Sequence, residues 1–261
     1  MRRKRYKLTI EYDGSRYRGW QLQPNARTIQ GEIIAALRRA SGDATATCTG
    51  AGRTDAGVHA LGQVAHTDLT TDFHPGELCT ALNQYLAPDI HVLRVEPVPH
   101  WFDARRSAVA RSYLYQIALR RGAFVKDYAW WVQSPLDIAR MQHAAELLEG
   151  MHDFRSFARA DRGTRSYRVL LEEIRIEQHG QLVVVRLTAS HFLWHMARAI
   201  VGTLVRVGTG TVSDDVLLDY LEHPSPEPLR YLAPAAGLFL ERVYYAGDPR
   251  GGPITPLLLL R

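Results

Sequence analysis

GAGRTDAGVHALGQVAHTD, residues 50–68, sets a single acid, Asp55, among small residues, with Gly50 and Gly52 before it and Gly57 after. Glycine serves where backbone must turn sharply or come close to another group. Residues 44–49 and 61–67 on either side read as strands, so the acid sits on a turn between them. A lone carboxylate on such a turn cannot run two-acid glycoside hydrolysis, nor hold a two-metal pair by itself. It can be a nucleophile that forms and releases a covalent adduct. It can also cap a helix starting at Gly57, and spacing alone favours that reading, since aspartate is common in turns.

Working outward, Tyr6, Leu8, Ile10 and Tyr12 alternate with Lys7, Thr9 and Glu11, the mark of a half-buried strand. Thr28 can cap a helix whose apolar face holds Ile29, Ile33, Ala36, Leu37 and Ala40, and Ser41-Gly42 ends it. A helix near 75–86 and a strand near 89–96 complete the first half. Similar elements recur: a strand at 112–119, a helix at 137–150 with Met141, Ala144 and Leu148 inward, and a hairpin of 169–177 and 181–189 about His179-Gly180. A helix over about 191–207, a short one from Ser213 and a strand at 238–245 follow. The order suggests two α+β halves, 1–105 and 106–246, with strands in 100–112 joining them. A Gly/Pro-rich tail, 247–261, is expected to cross the surface in extended form.

Composition narrows the function. The chain has 261 residues, 46% hydrophobic and 23% charged, as a folded globular protein does. Its net charge is +5, which makes a polyanionic partner worth considering. The only lysines are Lys4, Lys7 and Lys126, so arginine supplies nearly all the positive charge. Arginine forks onto phosphate and stacks on bases, although GC-rich codon usage gives the same skew. Five arginines fall in RSFARADRGTRSYR (Arg155, Arg159, Arg162, Arg165, Arg168), either a solvated loop or one that grips RNA.

The two cysteines, Cys48 and Cys79, form no CxxC pair, which suits a reducing cytosol, and neither a signal peptide nor an apolar run long enough to span a bilayer is apparent. GxSxG, GxxxxGK[ST] and GxGxxG are all missing. His191 and His195 in HFLWH fall one helical turn apart, but Phe192 stands where a zincin needs glutamate, so no metal site is expected.

GRTDAGVHALGQVAH resembles the catalytic motif of the TruA family of tRNA pseudouridine synthases. The likeness runs along nearly the whole chain. EYDGSRYRGWQLQP and RTIQGEI are similar to the family's first strand and helix, and FDARRSAVARSYLY to its middle motif, FxARxSAxxRxYxY. HFLWHMARAIVGTLVRVG and GLFLERVYY are similar to its third motif and closing strand. One departure is Arg106, where the family often has an aromatic.

The resemblance implies an α+β fold in which two ferredoxin-like halves fuse into one mixed, mainly antiparallel sheet with a central active-site cleft, the pseudouridine synthase fold. It implies isomerisation of uridine at positions 38, 39 and 40 of the tRNA anticodon stem-loop, by base flipping and without cofactor or metal. Asp55 matches the family's nucleophile, Tyr113 the tyrosine that stacks on the target uracil, and Arg198 the basic partner of the carboxylate. Arg53 matches the arginine that helps displace the base, and Arg105 one that contacts RNA beside the site. A cytoplasmic homodimer binding tRNA across both subunits is implied too. A non-catalytic RNA-binding protein on the same fold is the alternative.

Overall fold

The computed structural model describes residues 3–161, 164–258 and 260, so Arg162 and Gly163 of the arginine-rich segment lie outside the described residues. The fold is α+β with mainly antiparallel strand pairing. Two compact units make up the chain, Met1–Val109 with Phe239–Pro249, and Ala110–Leu238 with Arg250–Arg261.

In the first unit, β1 (Lys4–Tyr12) buries Tyr6, Leu8, Ile10 and Tyr12, the alternation read from the sequence. The helix α1 (Ile29–Ser41) starts where the Thr28 hydroxyl accepts from the Gly31 N–H and stops at Gly42, which adopts φ +70°. Residues 44–48 are not a strand. The Asp43 carboxylate accepts from the N–H and hydroxyl of Thr45 and holds this stretch as a turn, leaving only β2 (Thr49–Gly50). Next, β3 (His59–Leu69) pairs antiparallel with β1, and α2 (Pro75–Tyr85) leads to β4 (Ile90–Val98), which pairs with the other edge of β1. The Asn83 side chain both accepts from the Val92 N–H and donates to the Val92 carbonyl, fastening α2 to β4.

The second unit begins with β5 (Ala110–Ala118), so the expected joining strand does not extend back over 100–109. There, turns dominate: the Asp103 carboxylate accepts the Arg105 and Arg106 N–H groups at 2.9 and 2.8 Å. After β6 (Trp130–Trp131), α3 (Ile138–Leu148) is capped by Asp137 and buries Met141, Ala144, Ala145 and Leu148. β7 (Gly150–Asp153), β8 (Arg168–His179) and β9 (Leu182–Ala189) continue an antiparallel order β5-β9-β8-β7. The β8–β9 hairpin turns on Gly180-Gln181, one residue later than expected, with Gly180 at φ +61° as a II′ turn needs.

α4 (Met196–Gly208), α5 (Asp214–Glu222) and α6 (Glu227–Arg230) follow. The helix expected from 191 starts only at Met196, because His195 takes φ +70°, which an α-helix cannot continue through. His191 and His195 therefore do not share a helix face. Finally, β10 (Leu238–Tyr244) lies parallel to β3 through Phe239–His59 and Leu240–Ala60, in the first unit's order β4-β1-β3-β10. The tail is tied down: buried Arg186 donates to the Gly252 and Pro253 carbonyls, and Leu258 and Leu260 pack on Ala118, Val125, Ala129 and Leu182.

Candidate active site

Asp55 stands half-exposed on a β-turn closed by the Val58 N–H donating to the Asp55 carbonyl at 3.2 Å. Gly57 takes the third place at φ +77°, where a type II turn requires glycine. No helix begins there, so Asp55 is not a helix cap; β3 starts two residues later.

The turn is braced by its own unit. The Thr54 hydroxyl bonds the Tyr12 hydroxyl at 2.8 Å, and the Thr54 carbonyl accepts from the Trp20 N–H at 3.1 Å. The Gln63 amide donates to the Gly52 carbonyl at 3.0 Å, and the Ala51 N–H donates to the Val64 carbonyl at 2.7 Å. Each such bond contributes about 0.5–1.5 kcal/mol net, and together they fix the backbone on both sides of Arg53 and Asp55.

Steric fit adds to the bracing. A Cβ on Gly19 would fall 2.5 Å from the Thr54 carbonyl oxygen, one on Gly14 2.0 Å from that of Val58, and one on Gly50 2.5 Å from the Trp20 ring. A Cβ on Gly52 meets nothing within 4 Å. The three glycines of GAGRTDAG thus serve separate ends: Gly50 admits the Trp20 ring, Gly57 makes the turn, and Gly52 leaves open space beside Arg53. The EYDGSRYRGW motif is legible in these terms as the strap that holds the acid's turn. The sequence carried no local signal of this bracing, since Gly14, Gly19, Tyr12, Trp20 and Gln63 meet the turn only through the fold.

Arg53 is exposed two residues before Asp55, and Arg105 is exposed in the same unit, on the turn closed by Asp103. That second turn is anchored as well. The Ala104 N–H donates to His66 Nδ1 at 3.0 Å, and its carbonyl accepts from the Tyr245 hydroxyl at 2.9 Å. Burial lowers the His66 pKa and Arg5 adds to this, while Asp103 and Asp68 pull the other way, so the ring is held neutral as an acceptor.

Tyr113 and Arg198 belong to the second unit. Tyr113, on β5, is buried, at 7% exposure, and its ring packs edge-to-face with that of Phe192 at 4.8 Å between ring centroids. Arg198 lies in the first turn of α4, where its Nε donates to the Ala233 carbonyl at 2.7 Å while the Ala233 N–H donates back to the Arg198 carbonyl at 3.1 Å. Gly202, one turn on, has the Tyr231 carbonyl where a side chain would be, so α4 lies directly on this segment. Tyr115, two residues along β5 from Tyr113, is fully buried and donates to the Pro234 carbonyl at 2.8 Å. Burial raises its pKa, against the opposing effect of the nearby Arg198 charge. Arg198 and the tyrosine strand are thus joined through residues 233–234.

The sequence model described as tRNA pseudouridine synthase matches residues 8–105 and 144–246 of this chain. The chain belongs to the tRNA pseudouridine synthase family. Curated relatives in the tRNA pseudouridine synthase family agree over nearly full length. The tRNA pseudouridine synthase A of Azorhizobium caulinodans is 44% identical over 244 residues, covering 92% of this chain and 94% of that one. That of Beijerinckia indica is 43% identical, covering 95% and 96%, and that of Brucella ovis 42%, covering 93% and 98%. Among solved structures, the archaeal box H/ACA sRNP Nop10-Cbf5 complex matches at TM-score 0.35 and 12% identity, over 86% of this chain and 58% of that one, too weakly to add to the assignment. Within the tRNA pseudouridine synthase family match fall Asp55, Arg53, Arg105 and Arg198, whereas Tyr113 lies between the two matched segments.

Proposed function

We propose that the protein isomerises uridine to pseudouridine at positions 38, 39 and 40 of the tRNA anticodon stem-loop, with Asp55 as the catalytic nucleophile. The observation that carries the reading is the single carboxylate of the GRTDAGVHA motif, half-exposed on a turn that its own unit braces on both sides. A nucleophile must be held still and open to its substrate, and a braced, half-exposed turn supports that role.

In the reaction the bond from C1′ to N1 breaks, the uracil turns, and a bond from C1′ to C5 forms. The C5 proton leaves and N1 ends protonated, so atoms balance without oxidant, cofactor or metal. Flipping the nucleotide out of the stem costs a few kcal/mol, offset by stacking and hydrogen bonds in the pocket. Asp55 serves either by attacking C1′ or by assisting proton removal from C2′. Tyr113 stacks on the flipped uracil, and the ring's fixed contact with Phe192 supports that role. Arg198 is the basic partner of the carboxylate, with its guanidinium steadied by Ala233. Arg53 helps displace the base, and Arg105 contacts RNA beside it. The protein acts in the cytoplasm as a homodimer that binds tRNA across both subunits.

Incubation with unmodified tRNA in the presence of EDTA, followed by nucleoside analysis at positions 38–40, tests this reading. Pseudouridine is expected. Cleaved RNA, or bound but unchanged RNA, contradicts it.

A further inference from the structure

His195 is the one residue other than glycine with a positive φ among those described, at +70°. That conformation costs an L-residue about 1–2 kcal/mol, and such strain persists only where surrounding contacts enforce it. The contacts here converge on the preceding residue. The His195 ring lies 5.0 Å from that of Trp194, and the Arg159 guanidinium sits over the Trp194 ring at 5.0 Å. The Arg159 N–H also donates to the Trp194 carbonyl at 2.9 Å. Backbone and side chain of Trp194 are thereby both fixed, yet the residue is 44% exposed.

The chemistry of the surroundings says what would meet this surface. Segment 155–168 carries five arginines against one acid, Asp161. A second arginine of the segment repeats the arrangement, with the Arg155 guanidinium 5.1 Å over the Tyr167 ring. A guanidinium stacked on an aromatic ring offers a flat cationic face, on which unpaired bases stack while neighbouring phosphates are attracted. A protein partner would call for acids and apolar surface in complement. Repeated arginine–aromatic pairs on an arginine-rich segment fit single-stranded RNA better.

We infer that Trp194 with Arg159 forms an RNA-positioning contact, taking an unpaired nucleotide of the tRNA substrate, and that the strained His195 keeps the indole in place for it. This rests on the reading of the protein as a tRNA-modifying enzyme. The short path from Trp194 to Arg198 along the chain places the contact directly before the helix that carries Arg198.

Binding of an unmodified tRNA transcript tests it with Trp194→Ala, Trp194→Phe and Arg159→Gln. Loss of one stacked base weakens binding roughly 5- to 150-fold in Trp194→Ala. Trp194→Phe keeps a ring and stays within about threefold, and Arg159→Gln lowers the slope of log K against log salt by about 0.7–0.9. In turnover the loss appears in KM rather than in kcat. Should Trp194→Ala prove unstable by its melting temperature, Arg159→Gln, at an exposed position, decides alone. Wild-type affinity and salt slope in Arg159→Gln, or equal losses in Trp194→Ala and Trp194→Phe, overturn the inference. Pseudouridine formation by the wild type is scored separately: its absence sinks the proposed function, whereas the binding series alone decides this contact.

Discussion

Gly19→Ala probes how the turn that carries Asp55 is held. Gly19 sits at φ +87°, where an added Cβ costs about 1–2 kcal/mol in backbone strain. The same Cβ would stand 2.5 Å from the Thr54 carbonyl oxygen, 3.1 Å from the Asp55 carbonyl carbon and 3.2 Å from the Ala56 nitrogen. Ordinary contact begins near 3.4 Å, so the two segments must part by nearly an ångström, and every atom in the way is backbone. The Trp20–Thr54 hydrogen bond at 3.1 Å would go with that shift, at about a further 1 kcal/mol. The expected stability loss is about 2–3 kcal/mol. Displacing a reacting group by about 1 Å lowers rate about 100-fold, so kcat should fall by that order in single-turnover pseudouridine assays below the melting temperature. Gly42→Ala is the matched control: its φ is +70°, but nothing lies within 4 Å of the added Cβ. It should lose about 1–2 kcal/mol of stability and keep its kcat. If Gly19→Ala turns over within twofold of wild type, or Gly42→Ala slows as much, the idea that Gly19 positions the acid is refuted.

Gly52→Ala should fold as stably as wild type, since its Cβ meets nothing, yet raise KM for tRNA if that open space is where substrate approaches; unchanged KM denies that use of the space. Tyr113→Phe should bind tRNA and still break the glycosidic bond, but release tritium from uracil C5 more slowly, whereas Tyr113→Ala should lose about 1–3 kcal/mol of stacking. Tritium release at the wild-type rate in Tyr113→Phe would leave the residue as a stacking platform only. His66 has a folded pKa below its ordinary 6.5, so its contribution is full above about 6.5 and is lost as pH falls through the lowered value. Melting temperature should therefore drop from pH 7 toward 5, and less steeply in His66→Phe; parallel pH profiles for the two would contradict this.

Local signals carried most of the element order. The Tyr6–Tyr12 alternation, the Thr28 cap and the Gly42 stop all appear where expected, because each depends on neighbours within a few residues. The errors came where a side chain or a distant contact overrode the pattern. Alternating residues at 44–48 look like a strand, but Asp43 turns them through its carboxylate. HFLWH looks helical by its apolar spacing, but its backbone is claimed by Arg159 at Trp194, and His195 turns left-handed. β7 and α6 are too short, at four residues each, to leave a periodicity. For the site, the resemblance supplied the roles of Asp55 and its companions, and the turn and close approach expected of the motif's glycines are found at Gly57 and Gly50, while the reasons for Gly14 and Gly19 were not readable. Gly14 and Gly19 matter through backbone some 35 to 44 residues away, and no local pattern encodes such an approach.

Whether Asp55 is the nucleophile is decided by Asp55→Asn, a nearly isosteric change that removes the charge from the half-exposed carboxylate and leaves the braced backbone in place. Pseudouridine at positions 38–40 and tRNA affinity are measured together on the same preparation. No product is expected, with affinity within a few-fold of wild type. Continued turnover in Asp55→Asn would contradict that role.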